Sequence, residues 1–225
     1  MNDLKDKIIY WSEDSTIENL KHSICNDEIS ITSTDTVLGF LGNITKKSFE
    51  NIVKIKERKE DKPFLILVDF YSKIFEFVEE KEIKQNKNLL LILEKFWPGP
   101  LTIIFNAKKN LPDFLKSKQN SIAIRCPKHP GLQKILQEFN GLFSTSANKT
   151  GEPIPNKLSE INLNIINNIK HIVLDKNNID TNYKLYQTFP STIIDITNRN
   201  HVKVIREGAI STKELEKVYG ENFVK

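Results

Sequence analysis

The 225-residue sequence has no phosphate-cradling GxxxxGK(S/T) loop, and the pair Gly39 and Gly42 makes only GxxG, short of a dinucleotide-binding fingerprint. No GxSxG elbow marks a serine hydrolase. The four histidines, His22, His129, His171 and His201, are scattered, and none stands at metal-ligand spacing, so no metal-binding residue is expected. Cysteine is scarce. Cys25 and Cys126 lie about a hundred residues apart without a CxxC, and they read as free thiols of a reducing compartment. No apolar run is long enough for a membrane anchor, and MNDLKDKIIYWSED carries acids beside its lysines, unlike a signal peptide. A cytoplasmic protein with no membrane partner is expected, so the sequon Asn148-Lys149-Thr150 is a coincidence. Repeats, low-complexity tracts and long linkers are also missing.

The composition is that of an ordinary globular protein, with 39% hydrophobic and 28% charged residues. The net charge of +4, from 33 basic and 29 acidic residues, is a weak pointer to polyanions. Strand and helix patterns alternate along the whole chain, which predicts one α/β domain over 1–225 built on a mixed sheet. Ser15 to Glu18 forms a capping-box sequence for a helix ending near Cys25, and EISITS follows as a strand. Thr45 caps a second helix with Phe49, Ile52 and Val53 on its apolar stripe, which Pro63 stops. FLILV, residues 64–68, reads as a strand buried on both faces. Helices are expected in YSKIFEFVEE, NLLLILEKFW, GLQKILQEF and after Ser211, and strands in LTIIF, SIAIRC, LFSTS, HIVL, STIIDI and VKVIRE. Pro98-Gly99-Pro100 fixes a turn, with Phe96 and Trp97 burying apolar area. The polar stretch from about Asp175 to Pro190 is expected to be a mobile loop.

Two constellations carry chemistry. FSTSANKTGEPIP, residues 143–155, crowds Ser144, Thr145, Ser146 and Asn148 before Gly151. Such residues build turns and caps, but they also supply donors to an anion. Lys56, Arg58 and Lys62 cluster at the end of the second helix, where the backbone dipole favours cations and where a phosphate could also be met. Arg125 and Arg206 end two strands, the edge at which α/β sheets usually bind ligands, and arginine meets carboxylate or phosphate with a two-pronged fork. Together they point to a site for a charged, phosphate-bearing ligand.

Seven segments extend this reading: STDTVLGFLG, KIKERKEDKPFLILV, FWPGPLTIIF, SIAIRCPKHPG, FSTSANKTGEP, STIIDIT and VIREGAIS. In this order, from residue 33 to 211, the sequence resembles the YrdC-type family of threonylcarbamoyl-AMP synthases, called TsaC in bacteria. The resemblance implies a single YrdC-like domain, its motif-bearing core at about 8–211, with a twisted mixed β-sheet, flanking helices and an open, positively charged concave site. It implies an ATP-dependent nucleotidyltransferase that makes threonylcarbamoyl-AMP and pyrophosphate from L-threonine, bicarbonate and ATP, with Mg2+ as the counterion of ATP. The product feeds threonylcarbamoyl-adenosine formation in tRNA, so tRNA and tRNA-modification enzymes are the implied partners.

By the same resemblance the KxR and SxN residues Lys56, Arg58, Ser146 and Asn148 are catalytic. They bind ATP together with Lys62, Ser121 and Arg206. Thr34, Asp35, Thr36, Arg125, Ser144, Ser191 and Thr192 line the L-threonine pocket. The sequence departs from the family pattern at Leu38, Glu57, Lys59 and Leu67, where an aromatic residue, glycine, proline and histidine are common. Two other readings are a YrdC-like RNA-binding module without synthase activity and a carbamoyl-phosphate-using relative. The KxR and SxN pairs favour the synthase over the first. The second is one module of a larger protein, and no additional domain is expected in this length.

Overall fold

The computed structural model describes residues 2–58, 64–155, 157–175 and 189–224. Among the described residues there are ten strands: β1 (Ile8–Tyr10), β2 (Ser30–Thr32), β3 (Gly39–Asn43), β4 (Leu65–Leu67), β5 (Leu101–Asn106), β6 (Ser121–Arg125), β7 (Leu142–Ser146), β8 (Ile172–Leu174), β9 (Thr192–Asp195) and β10 (Lys203–Arg206). They form one mixed, twisted sheet in the order β1-β8-β2-β3-β7-β4-β6-β5-β9-β10. The pairs β1·β8, β2·β8, β4·β6 and β5·β9 are parallel, and the other neighbours are antiparallel. The helices are α1 (Asn2–Lys7), α2 (Thr16–Cys25), α3 (Lys46–Lys56), α4 (Glu80–Lys84), α5 (Lys87–Phe96), α6 (Pro130–Gln137), α7 (Leu163–Asn167) and α8 (Thr212–Tyr219).

Helix starts follow the side chains that can satisfy their free amides. Thr45 accepts the Ser48 amide to open α3, Asn86 accepts that of Leu89 to open α5, and Ser211 and Glu214 form a complete capping box on α8. The box read at Ser15 does not form: Ser15 is itself in a helical conformation and makes no side-chain cap. Thr16 instead donates its hydroxyl to the Tyr10 carbonyl at 2.7 Å, tying α2 to β1. The helix read through YSKIFEFVEE is also corrected. It is a 3-10 helix over Tyr71–Glu76, broken before α4, because the carbonyls of Phe75 and Phe77 accept from the side chain and amide of Lys108.

Strand alternation divides the core between the two sheet faces. Phe40, Ile66, Phe143 and Ile172 point to one side, against Phe49 and Ile52 of α3 and Leu89, Ile92 and Leu93 of α5. Their strand neighbours Leu41, Leu67, Leu142 and Val173 point to the other, against Leu20 and Ile24 of α2 and Leu132, Ile135 and Leu136 of α6. Beyond β4 this second cluster ends, and the sheet face is left to form a cleft. Cys126 is buried and Cys25 exposed, and burial pushes the Cys126 thiol up to about 11. Thiolate is the reactive form. In the native protein a thiol reagent therefore labels Cys25 rapidly and Cys126 only on unfolding, which mass spectrometry after timed labelling reads directly.

Candidate active site

The cleft has a volume of about 250 Å³, and its floor is the uncovered part of the sheet face. Gly39 of β3, Ser144 and Ser146 of β7, and Leu65 and Leu67 of β4 line its near half. Ala123 and Arg125 of β6, Thr102 of β5, Ile193 of β9 and Arg206 of β10 line the far half. Apart from Thr145, which also reaches the lining, these are alternate residues of six adjoining strands and the edge strand β10, so the cavity lies on the face of the sheet. Arg125 and Arg206, the last residues of β6 and β10, line it too, so the strand ends to which the sequence points open onto this face. The floor residues between the arginines are small or aliphatic, which leaves room above the sheet. Among the described residues the lining holds Arg58, Arg125 and Arg206 and no carboxylate side chain. A larger cavity of about 560 Å³ lies beside α4, α5 and α8, mixes Lys87 and Arg199 with Glu82 and Glu221, and holds none of these residues.

Arg125 is held on three sides. Its Nε donates to Gly99 O at 3.0 Å, Nη1 to Thr36 Oγ1 at 2.8 Å and Nη2 to Asp35 Oδ1 at 2.6 Å. Gly99 reaches this position because Pro98-Gly99-Pro100 turns sharply there, and a Cβ at Gly99 would stand 2.4 Å from the Phe96 carbonyl. Trp97 anchors the turn by donating Nε1 to Leu101 O at 2.7 Å, in the architectural role its sequence context suggested. Burial lowers the pKa of Arg125 and the Asp35 charge opposes that shift. Asp35 also accepts the Lys128 amide, so its carboxylate is occupied by the protein.

Arg206 grips Ser191, donating Nε and Nη2 to its carbonyl at 3.1 and 2.8 Å. Burial, then the neighbouring charge of Arg125, lowers its pKa, so the two guanidiniums share one electrostatic field. Ser191 Oγ lies 2.9 Å from Thr102 Oγ1 on the floor. Opposite them, Arg58 lies over the Phe64 ring at 5.0 Å. The left-handed C-cap Glu57, with φ 51, turns the chain at the end of α3 between Lys56 and Arg58.

The structure brings Thr34, Thr36, Arg58, Arg125, Ser144, Ser146, Ser191 and Arg206 to one cavity. It does not bring all the residues singled out by sequence. Thr192 faces away from the cleft, as alternation requires next to Ser191 and Ile193. Its hydroxyl donates to Ile210 O and accepts the Gly208 and Ile210 amides. Ser121 shares the face of Ala123 and Arg125 but lies off the lining, its Oγ 2.7 Å from that of Ser117. Lys56, Asp35 and Asn148 stand behind the lining, in contact with residues that form it. Lys62, Lys59 and most of the stretch from Asp175 to Pro190 lie outside the described residues. Sequence reasoning missed Gly39, Leu65, Thr102, Ala123 and Ile193, although the alternation in SIAIR and STIID carries the signal.

Burial, then the Arg58 charge, lowers the pKa of Lys56 to about 8 from 10.5. The unfolded chain keeps this proton to higher pH than the folded one, so stability contributed at Lys56 rises between about pH 8 and 10.5. Urea melts across that window will show a shallower rise, or a steeper fall, for Lys56→Met than for the parent protein.

The Sua5_yciO_yrdC family model, described as "Telomere recombination", matches residues 22–208. A Methanocaldococcus jannaschii protein provisionally named a threonylcarbamoyl-AMP synthase is 32% identical over 221 residues, which span 94% of this chain and 98% of that protein. The threonylcarbamoyl-AMP synthase of Pyrococcus abyssi is 27% identical over 190 residues, 84% of this chain and 52% of that protein. Among solved structures, P. abyssi Sua5 complexed with L-threonine matches with a TM-score of 0.81 at 24% identity. That match covers 97% of this chain and 62% of the other. E. coli YciO matches with a TM-score of 0.73 at 21% identity, over 92% and 97% of the two chains. With its sheet, its cleft and a match over most of its length, the chain belongs to the Sua5/YciO/YrdC family.

Proposed function

We propose that the protein is an L-threonylcarbamoyladenylate synthase, a nucleotidyltransferase that uses ATP. The observation that carries this reading is the cleft itself, three arginines over small and hydroxyl-bearing floor residues, with no carboxylate side chain among the described residues of the lining. Relatives named for threonylcarbamoyl-AMP synthesis support this reading. The amine of L-threonine adds to carbon dioxide, formed from bicarbonate, and yields a carbamate. A carbamate oxygen then attacks the α-phosphorus of ATP, and the bond to the β-phosphate breaks to release pyrophosphate. Positioning and charge stabilisation are what such a transfer asks of a protein.

Arg58 and Arg206 face the phosphates from opposite walls, with Ser146 beside Arg58. Thr34, Thr36, Ser144 and Ser191 surround the amino acid, and Arg125 turns its remaining donors toward the carboxylate. Mg2+ enters with the phosphates: among the described residues no group of three or more His, Cys, Asp or Glu side chains could hold a metal ion. Threonylcarbamoyl-AMP then passes to the enzymes that modify tRNA, in the cytoplasm. An RNA-binding role without catalysis leaves the threonine and phosphate walls without a purpose. Pyrophosphate release is measured with threonine and bicarbonate each present or omitted. Release that needs both supports the synthase, and MgATP binding without release under all conditions overturns it.

A further inference from the structure

We infer that Lys56 is a positioning residue: its ammonium holds the Ser146–Asn148 turn against the end of α3, so that Ser146 and Arg58 meet the ligand together while Lys56 itself does not touch it. The inference rests on the proposed reading of the cleft as a phosphate site.

The geometry commits the ammonium to the turn. Lys56 is 4% exposed, and its Nζ donates to Ser146 O and Asn148 O at 2.6 Å each. A further acceptor among the described residues, Asn148 Oδ1, lies at 3.5 Å and already accepts from Ser146 Oγ at 2.5 Å. The cation also lies 5.3 Å from the Phe40 ring centroid, packed against the core side of β3. A phosphate oxygen is an acceptor and needs the same hydrogens. Surrendering them would take a charge-assisted bond from both carbonyls, of which Ser146 O keeps the Asn148 amide at 2.9 Å, a loss that a surface lysine would not face.

The tie is also reciprocal and local. Thr150 N donates to Lys56 O at 3.0 Å, and Lys149 pairs with Glu57, so side chain, main chain and neighbour all join residues 56–57 to residues 146–150. The turn is thereby registered on the same short segment that delivers Arg58. Asn148 completes it by donating Nδ2 to Glu152 O at 2.5 Å. Lysine suits the task because a long stem carries a compact cation with several hydrogens, enough for two carbonyls that face one point.

The test compares Lys56→Met, which keeps the stem and loses the donors, and Lys56→Arg, which keeps donors. Amide exchange is first followed in the protein without ligand. The inference expects Lys56→Met to speed exchange at residues 146–150 on the order of tenfold to a hundredfold, the factor for losing charge-assisted bonds, while the rest of the sheet keeps its protection. Lys56→Arg restores part of that protection. In turnover, Lys56→Met raises KM for ATP and leaves KM for threonine near the parent value. Unchanged exchange at 146–150 together with lost ATP binding overturns the inference and makes Lys56 a phosphate ligand. Exchange that rises across the whole sheet overturns it as well. If the parent protein releases no pyrophosphate, the synthase reading fails on its own, and the exchange comparison still decides whether Lys56 holds the turn.

Discussion

Arg58→Ala lowers pyrophosphate release by a factor on the order of 10² to 10³ while the protein stays folded, because one preorganised cation is removed from the charge of the departing group. Arg58 follows the left-handed C-cap of α3 and lines the cleft over Phe64. Losing the contact over Phe64 costs a cation–π interaction of about 0.5–1 kcal/mol, so the melting temperature of the variant falls by only a few degrees while the fold is kept. The loss should fall on kcat and on kcat/KM for ATP alike, since a contact that strengthens as pyrophosphate leaves acts in the transition state. Arg58→Lys recovers only a part, because a point charge replaces a planar fork. A variant with full activity would remove Arg58 from the site.

Asp35→Ala acts through the opposite balance. Asp35 and Arg125 are 11% and 5% exposed in their side chains, and they meet at 2.6 Å. Removing one member of a buried pair leaves the other charge unanswered, at a cost of about 3–5 kcal/mol. For a chain of this size that corresponds to a melting temperature lower by roughly 6–20 °C. The double replacement Asp35→Leu with Arg125→Met removes both charges, and most of the stability returns while activity does not. Differential scanning calorimetry and pyrophosphate release on the same three proteins check both halves. Equal melting temperatures for the parent and Asp35→Ala would sink the first half, and an active double variant the second.

Residues whose role depends on local pattern were legible in the sequence. The capped starts at Thr45 and Ser211, the apolar run before Arg125 and the turn at Pro98-Gly99-Pro100 follow from side chains within a few positions of one another. The sequence could not tell which way Lys56 points. The end of an apolar helix offers it both solvent and the sheet, and the carbonyls that decide lie 90 and 92 residues away. β1 has the same difficulty, for three residues in a charged N-terminal stretch become a strand only by pairing with Ile172 to Leu174. The break after the 3-10 helix Tyr71–Glu76 needs Lys108, a residue just beyond the end of β5. Thr192 shows a different limit. A motif marked it together with Ser191, and the period of a strand separates the two.

That period ties ligand recognition to the fold more closely than a loop-built site would. In β6, Ala123 and Arg125 look into the cleft while Ile122 and Ile124, both fully buried, look into the core. Deleting a single residue from β6 would exchange these roles at a stroke, sending a guanidinium into the aliphatic layer and isoleucine into the cleft. Substitution and indel tolerance therefore part company along these strands. Every second position is open to functional tuning, one side chain at a time, while the length of each strand is closed to change.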